Sequence, residues 1–377
     1  MPLKVALVGS GKIADGHVEE IQKLGDLARV VAVCDVEPLM SEQLARRYGL
    51  PAHYGDFDQM LERERPDVVH VTTPPGAHLE LATRALQAGC HVYVEKPLTP
   101  TAADSRELIR RAEDAGKKLT CGYTYLFDPP ALAMRSLVNE GILGEVVHVD
   151  SVYGYDLSGK FGQALLANPS HWVHQLPGKL FHNNIDHMLN KLVEFIDDDE
   201  PEVTARALVR RPARFGDARD AMEDELRVLI CGQRTTGSCL FSCGARPVGH
   251  YCRVFGSKNT AHVDYVMRTV TLDAQPRLPT ALGRLLPAFV QGWRFVRAGG
   301  ENLWRFAKSD FHFFAGMNYL IRAFYSSIVE ERPVPIAYRD LIRISVMLET
   351  IWKQLDLARQ ARTELAGRAR LPEGGAR

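Results

Sequence analysis

Val5-Ala6-Leu7-Val8-Gly9-Ser10-Gly11-Lys12-Ile13-Ala14 joins a short apolar run to a pair of glycines and then to residues with helical spacing. A buried strand, a tight turn and a helix N-terminus in succession give each small residue a task. Gly9 permits the turn, Gly11 leaves the backbone open to a pyrophosphate, and Ala14 lets helix and strand pack closely. The first-turn N–H groups, where Lys12 and Ile13 sit, and the helix dipole favour an anion at that end. Asp35 closes the next apolar run, a little over twenty residues on. From there a carboxylate accepts hydrogen bonds from ribose hydroxyls and repels a 2′-phosphate. The expected cofactor is therefore NAD, in preference to NADP.

The same alternation continues to about residue 120. Strands are expected at Val5–Val8, Val30–Cys34, Val68–Thr72, His91–Glu95 and Lys118–Cys121. Helices are expected at Ile13–Leu24, Ser41–Arg46, His78–Ala88 and Ala102–Ala115, each closed by a left-handed glycine at 25, 49, 89 or 116. The pattern predicts an α/β fold with a doubly wound parallel sheet of the Rossmann type. After Tyr123 one helix (Leu132–Asn139, stopped by Gly141) leads into strands that follow strands. These are Val146–Tyr153, Glu202–Val209, Glu225–Cys231, Ser238–Ser242, His250–Phe255 and Ala261–Tyr265. That order predicts a second, α+β domain with a largely antiparallel sheet. A terminal helix at Leu341–Leu357 completes it. The division is 1–122 for the first domain, 123–362 for the second and 363–377 for a flexible tail.

Composition bounds the function. In 377 residues, 46 Lys and Arg balance 46 Asp and Glu, which argues against a nucleic-acid binder. The apolar run before Gly9 is too short for a signal peptide or a membrane span. Seven cysteines, several of them inside strand-like runs, suggest reduced thiols and a cytoplasmic location.

Glu95-Lys96-Pro97 stands at the end of a strand, as does Thr72-Thr73-Pro74 with His78 beyond it. Ligands bind at the carboxyl edge of such sheets, so Thr72, Thr73, Pro74, His78, Glu95 and Lys96 are expected in one crevice with the glycine loop. An ammonium beside the cofactor can polarise a carbonyl or, with its pKa lowered by burial, accept an alcohol proton. Gly9–Ala14, Thr72–Pro74 with His78, Glu95–Pro97 and the later Pro177-Gly178…His187 stretch resemble the Gfo/Idh/MocA family over about the first 270 residues. The resemblance implies a Rossmann domain followed by an open antiparallel sheet. It also implies pyridine-nucleotide oxidation or reduction of a sugar, sugar-nucleotide or cyclitol hydroxyl, with Lys96 near nicotinamide and reacting oxygen. A homo-oligomer, dimer or tetramer, is implied as well.

The family motif places an Asp and a His four residues apart on one helix. Here the stretch reads Phe181-His182-Asn183-Asn184-Ile185-Asp186-His187, so His187 matches the histidine and Asn183 replaces the aspartate. Both would share a helical face, but an amide exchanges no proton at neutral pH. Acid–base work would then fall to Lys96 and His187, with Asn183 orienting a hydroxyl. His182 is a further candidate, whereas Asp186 lies about 100° from His187 and is expected to cap or pair elsewhere. Trp172 and His174 are candidate sugar contacts, and Tyr125, at the crossover between the domains, is a candidate contact to cofactor or substrate. His171, His174, His182 and His187 have no neighbouring Cys and no chemistry that needs a metal, so no metal is expected.

Residues 281–314 form a basic aromatic insertion with Leu282, Leu285, Phe289, Trp293 and Val296 on one helical stripe. A lid or subunit contact is the favoured reading and an anionic membrane surface the other; membrane contact would point to a lipid-linked sugar. Two rivals to a dehydrogenase stay open. One is redox-neutral glycoside cleavage through transient sugar oxidation. The other is a dinucleotide sensor without turnover.

Overall fold

In the computed structural model of the chain, residues 1–168, 170–210, 223–274, 279–308, 311, 312 and 314–368 are described. The N-terminal third alternates as expected. Its order is β1 (Leu3–Val8), α1 (Lys12–Gln22), β2 (Ala28–Cys34), α2 (Pro38–Tyr48), β3 (His53–Tyr54) and α3 (Phe57–Glu64). It continues with β4 (Val68–Val71), α4 (His78–Gln87), β5 (His91–Val94), α5 (Ala102–Asp114) and β6 (Leu119–Cys121). The six strands form one sheet in the order β3-β2-β1-β4-β5-β6, and every pairing is parallel. Strands covered on both faces must be apolar throughout, which is why β1, β2 and β4 read as unbroken Val/Ala/Leu runs.

Gly49, Gly89 and Gly116 close α2, α4 and α5 with φ of +63°, +83° and +62°. Gly25 does not close α1, which ends at Gln22 through a right-handed Lys23. The β3–α3 unit went unread because its strand has two residues. Asp56 nevertheless carries a cap signal, its carboxylate accepting from the Gln59 N–H at 2.8 Å.

After α6 (Pro129–Asn139) come β7 (Val146–Gly154), α7 (Lys160–Ala167) and α8 (Asp186–Val193). The strands β8 (Glu202–Leu208), β9 (Glu225–Cys231), β10 (Thr236–Ser242), β11 (His250–Gly256), β12 (Asn259–Asp264) and β13 (Thr269–Ala274) follow. They form a seven-stranded sheet, β13-β12-β11-β7-β10-β9-β8, antiparallel except where β10 meets β7. The insertion is one long helix, α9 (Thr280–Ala307). Helix α10 (Ala315–Val329) follows it and packs against α1, so the chain returns to the first sheet. The last helix, α11 (Tyr338–Arg368), touches α5 on that side and β8 on the other. Ser105 and Ser345 hydroxyls meet at 2.8 Å across this join, and the Leu119 N–H donates to Tyr338 OH at 3.0 Å. Residues 363–368 of the expected tail are thus helical, and 369–377 lie outside the described residues. No disulfide links the seven cysteines, and six are buried.

Candidate functional site

The glycine loop is tied to the strand ends around it. The Gly9 N–H donates to Cys34 O at 2.8 Å. A Cβ on Gly9, whose φ is +98°, would lie 2.8 Å from the Thr72 backbone, so only glycine fits there. The Thr72 hydroxyl donates to Val8 O and Gly9 O, which makes it a brace for the loop. Asp35 accepts from the Ser10 N–H (2.6 Å) and the Glu37 N–H (3.0 Å), bridging the loop to the start of the next connection. A dinucleotide fits what remains. A Cβ on Gly11 would meet nothing within 4 Å, and α1 starts at Lys12, so the Lys12 and Ile13 N–H groups at its start have no partner in the helix ladder. Ser10 Oγ and Thr73 Oγ1 are buried without a hydrogen-bond partner. Val36, just past Asp35, is exposed although apolar.

Pro74 precedes a short 3-10 turn (Pro75–Ala77) that leads to His78. His78 is a clamp and does not face the cavity: Nε2 lies 2.9 Å from Thr73 O and Nδ1 3.0 Å from Pro97 O. It therefore fixes the Thr72–Pro74 segment against the Glu95–Pro97 segment.

A cavity of about 180 Å³ opens beside the loop, bordered by Ile13, Glu95, Lys96, Tyr125, Tyr153 and His187 among others. Lys96 spans the two halves of the chain, its Nζ donating to Asn183 O at 2.7 Å with Asn183 Oδ1 at 3.4 Å. Glu95 is buried, and its carboxylate accepts from His17 Nε2 at 2.9 Å. Burial pushes the Glu95 pKa up, but the His17 hydrogen bond and the Lys96 charge outweigh it and hold the group below the usual carboxylate range. Burial, reinforced by Lys96 and Lys191, holds His187 well below the usual imidazole range, so it is neutral. Its ring packs edge-on to Tyr125, with centroids 4.9 Å apart. Burial raises Tyr125 to about 12, so it stays a phenol.

Asn183 and His187 do not share a helical face. Helix α8 begins at Asp186, and the His187 N–H bonds to Asn184 O and Asp186 Oδ1, while Asn183 O is taken by Lys96. The pair still meets, through Lys96. Two other expected contacts lie elsewhere. His182 is fully buried and stacked on Trp352 at 5.2 Å, with neither ring nitrogen bonded, and it does not border the cavity. His174 Nε2 lies 2.9 Å from Leu165 O, at the end of α7. Trp172 opens a 3-10 turn, and its side chain, like Pro169, lies outside the described residues. Among the described residues no group of three His, Cys, Asp or Glu could hold a metal ion.

Asp186, expected to cap or pair elsewhere, starts α8 beside His187, and Lys191 was not anticipated. Asp186 is buried and pushed up to about 6 by desolvation, against the pull of Lys96, with Oδ2 lacking a partner. Behind Tyr125 sits Lys191, fully buried, with Nζ 2.6 Å from His250 Nε2 and 4.6 Å above the Tyr265 ring. Burial pulls this ammonium down to about 8. Tyr153 comes from β7 and His250 from β11. Their period-2 strands mark shared faces but not which face meets the Rossmann sheet.

Comparison with known proteins fits this geometry. The model of an oxidoreductase family with an NAD-binding Rossmann fold (GFO_IDH_MocA) matches residues 3–123. D-glucoside 3-dehydrogenase of Escherichia coli (strain K12) is 38% identical over 146 residues, 38% of this chain and 41% of that protein. Inositol 2-dehydrogenase of Rhizobium meliloti (strain 1021) is 30% identical over 221 residues, 58% of this chain and 63% of that protein. The matched region thus spans less than two thirds of these curated relatives. Among solved structures, an NAD-binding oxidoreductase from Klebsiella pneumoniae shares the fold with a TM-score of 0.75 at 20% identity, covering 94% of this chain and 96% of that one. The WlbA dehydrogenase from Bordetella pertussis, in complex with NADH and UDP-GlcNAcA, gives 0.72 at 18% identity, covering 94% and 95%.

Proposed function

We propose that the chain is an oxidoreductase of the Gfo/Idh/MocA family, whose NAD-binding Rossmann model its residues 3–123 match, and that it is an NAD-dependent dehydrogenase of a sugar, sugar-nucleotide or cyclitol hydroxyl. The observation that carries this reading is the convergence of Lys96, His187 and Tyr125 on one cavity that also touches Ile13 of the glycine-loop helix.

Gly9, Gly11 and the first-turn N–H groups of Lys12 and Ile13 would hold the pyrophosphate, with Ser10 and Thr73 hydroxyls available to it. Asp35 would take the adenosine ribose, and Val36 would flank the adenine. The carboxylate of Asp35 disfavours a 2′-phosphate, so NAD is preferred to NADP. Bound NAD⁺ supplies the hydride acceptor. Lys96, anchored on Asn183 O, sets a positive charge where a hydroxyl oxygen becomes an alkoxide. His187, held neutral, has a lone pair for the hydroxyl proton. In the oxidising direction, with NAD⁺ bound to accept the C–H hydride, the O–H proton would pass to His187 and a ketone would remain. Asn183 contributes a hydrogen bond and no proton. The names of the two curated relatives, a glucoside 3-dehydrogenase and an inositol 2-dehydrogenase, support a cyclic polyol as substrate.

Single-turnover absorbance of protein mixed with NAD⁺ tests this against free sugars, sugar nucleotides, inositols and aryl glycosides. NADH should appear with at least one class, and Lys96→Ala should slow it by about a hundredfold or more. Glycoside cleavage without lasting NADH would transfer the reading to redox-neutral chemistry. Tight NAD binding with silence across the panel would overturn it in favour of a sensor.

A further inference from the structure

Helix α9 is amphipathic in the inverse sense. Its sheltered positions are Gly283, Pro287, Gln291, Arg294, Ala298, Asn302 and Arg305, a stripe that repeats every three or four residues and is polar or small throughout. This stripe faces the protein. Gln291 Nε2 donates to Asp273 Oδ1 on β13, and Asn302 Nδ2 donates to Met267 O at 2.8 Å. The opposite stripe carries Leu282, Leu285, Phe289, Trp293, Val296 and Leu303, and it faces away. Phe289, Trp293 and Leu303 are 70%, 69% and 72% exposed. Next to the Asn302 anchor, Val266 and Met267 on the β12–β13 turn add to the same exposed apolar surface.

A soluble surface helix hides its apolar face, and contiguous apolar surface left open marks an interaction site. The composition of α9 sharpens the point. Gly283, Gly292, Gly299, Gly300 and Pro287 are poor helix formers, so little of its stability comes from propensity, and little from burial against its own chain. Something apolar must cover the stripe.

Charge decides what. Residues 280–308 hold Arg284, Arg294, Arg297, Arg305 and Lys308 against Glu301 alone, a net of +4 in a chain whose 46 basic and 46 acidic residues cancel. A second copy packed on this face about a twofold axis would bring one basic helix against another. An anionic bilayer surface takes the apolar stripe into its acyl boundary and meets the basic flanks with lipid phosphates. Two indoles on the exposed side, with Lys308 Nζ 4.0 Å above the Trp304 ring, suit the boundary between apolar and polar layers. No helix among the described residues is long and apolar enough to cross a membrane, so the contact would be in the plane of the interface. We infer that α9 is an in-plane anchor that docks the protein on anionic lipid bilayers through Phe289, Trp293 and Leu303, flanked by Arg284, Arg297 and Lys308.

Flotation of the full chain with vesicles tests this, using phosphatidylcholine alone or phosphatidylcholine with about one third phosphatidylglycerol. The protein should float with the anionic vesicles, with a blue shift in tryptophan emission, and should be released by high salt. Phe289→Glu with Trp293→Glu should abolish flotation while leaving the thermal unfolding midpoint in place, since both side chains are exposed. Arg284→Gln and Arg297→Gln should each weaken binding about fivefold, the equivalent of ~1 kcal/mol per basic residue at the surface. Absence of flotation with either lipid overturns the inference. A dimer in sedimentation equilibrium that the double variant dissociates, with no vesicle binding, overturns it in favour of a subunit contact.

Discussion

His17 Nε2 lies 2.9 Å from Glu95 Oε1, and His17 is itself a middle link in a buried relay. Its Nδ1 is 2.8 Å from His70 Nδ1, and His70 Nε2 is 2.8 Å from Tyr325 OH. One proton arrangement satisfies all three contacts: Tyr325 O–H donates to His70, His70 Nδ1–H to His17, and His17 Nε2–H to the Glu95 carboxylate. Burial holds His70 well below the usual imidazole range, in keeping with a neutral ring. The relay runs from α10 through the parallel sheet to the residue before Lys96. It ties the cavity wall to the returning C-terminal helices.

His17→Ala therefore removes the side-chain donor of a buried carboxylate that keeps only the Lys96 N–H and charge, and a loss of ~3 kcal/mol is expected. Tyr325→Phe strands only a neutral ring nitrogen, for about 1–2 kcal/mol. Urea unfolding of both variants checks the order; equal losses would mean the relay does not end on a charge. The sign with pH follows from the direction of the Glu95 shift. A carboxyl held below its unfolded value contributes stability above that value and loses it as pH falls through the folded one.

Two glycines of the loop should separate fold from cofactor. Gly9→Ala forces a Cβ against the Thr72 backbone at φ +98°, so a loss of roughly 2 kcal/mol or more is expected. Gly11 has φ −70° and open space around it, so Gly11→Val should leave the unfolding midpoint nearly unchanged. Its branched side chain would instead fill the pyrophosphate path, and NAD affinity should fall at least tenfold, ~1.4 kcal/mol. Calorimetric NAD titration beside thermal unfolding reads both. Unchanged affinity in Gly11→Val would place the dinucleotide elsewhere.

His182 illustrates a buried histidine with a cost. Burial lowers it to about 4 from an ordinary 6.5, with no hydrogen bond to offset the loss. The folded state refuses a proton that the unfolded chain accepts, so stability is whole above pH 6.5 and is lost as pH falls from there toward 4. At pH 5 the loss amounts to about 2 kcal/mol. His182→Phe keeps the stack on Trp352 and removes both orphan nitrogens. Its stability at pH 7 should match or exceed the parent, and its acid loss should be smaller by about that amount. Urea midpoints at pH 7 and pH 5 decide it.

What could be read from the sequence follows the reach of each signal. Gly9–Ala14, Asp35 and Glu95–Pro97 act through backbone geometry within one strand–turn–helix unit, so their spacing alone places them. Asn183 was misplaced because its helix starts at Asp186, and Lys96 captures a carbonyl that a longer helix would have used. Lys191 reads as an ordinary helical lysine. Tertiary packing buries it: α8 lies against β7, β10 and α11, and Lys191 meets His250 of β11 and Tyr265 after β12. The stripe of α9 was legible, but which side faces the protein was not, since amphipathicity carries no arrow.

Asp186 supplies the sharpest pH test of the site. Its carboxyl is fully buried, accepts from the His187 N–H at 2.9 Å, and feels Lys96 as its largest favourable charge. With its pKa raised to about 6, it is ionised at pH 7 and neutral at pH 5. Protonation would remove the negative charge that balances Lys96 and would leave the start of α8 less favoured. His187, already neutral across this range, contributes no limb of its own. Hydride transfer should therefore fall as pH drops through about 6. Asp186→Asn should be slower at pH 8 by roughly tenfold and flat through pH 6, because the group that titrates is gone. Aspartate there sets the limb if Asp186→Asn flattens the profile. A limb that persists in the variant would assign it to another group and remove Asp186 from the site.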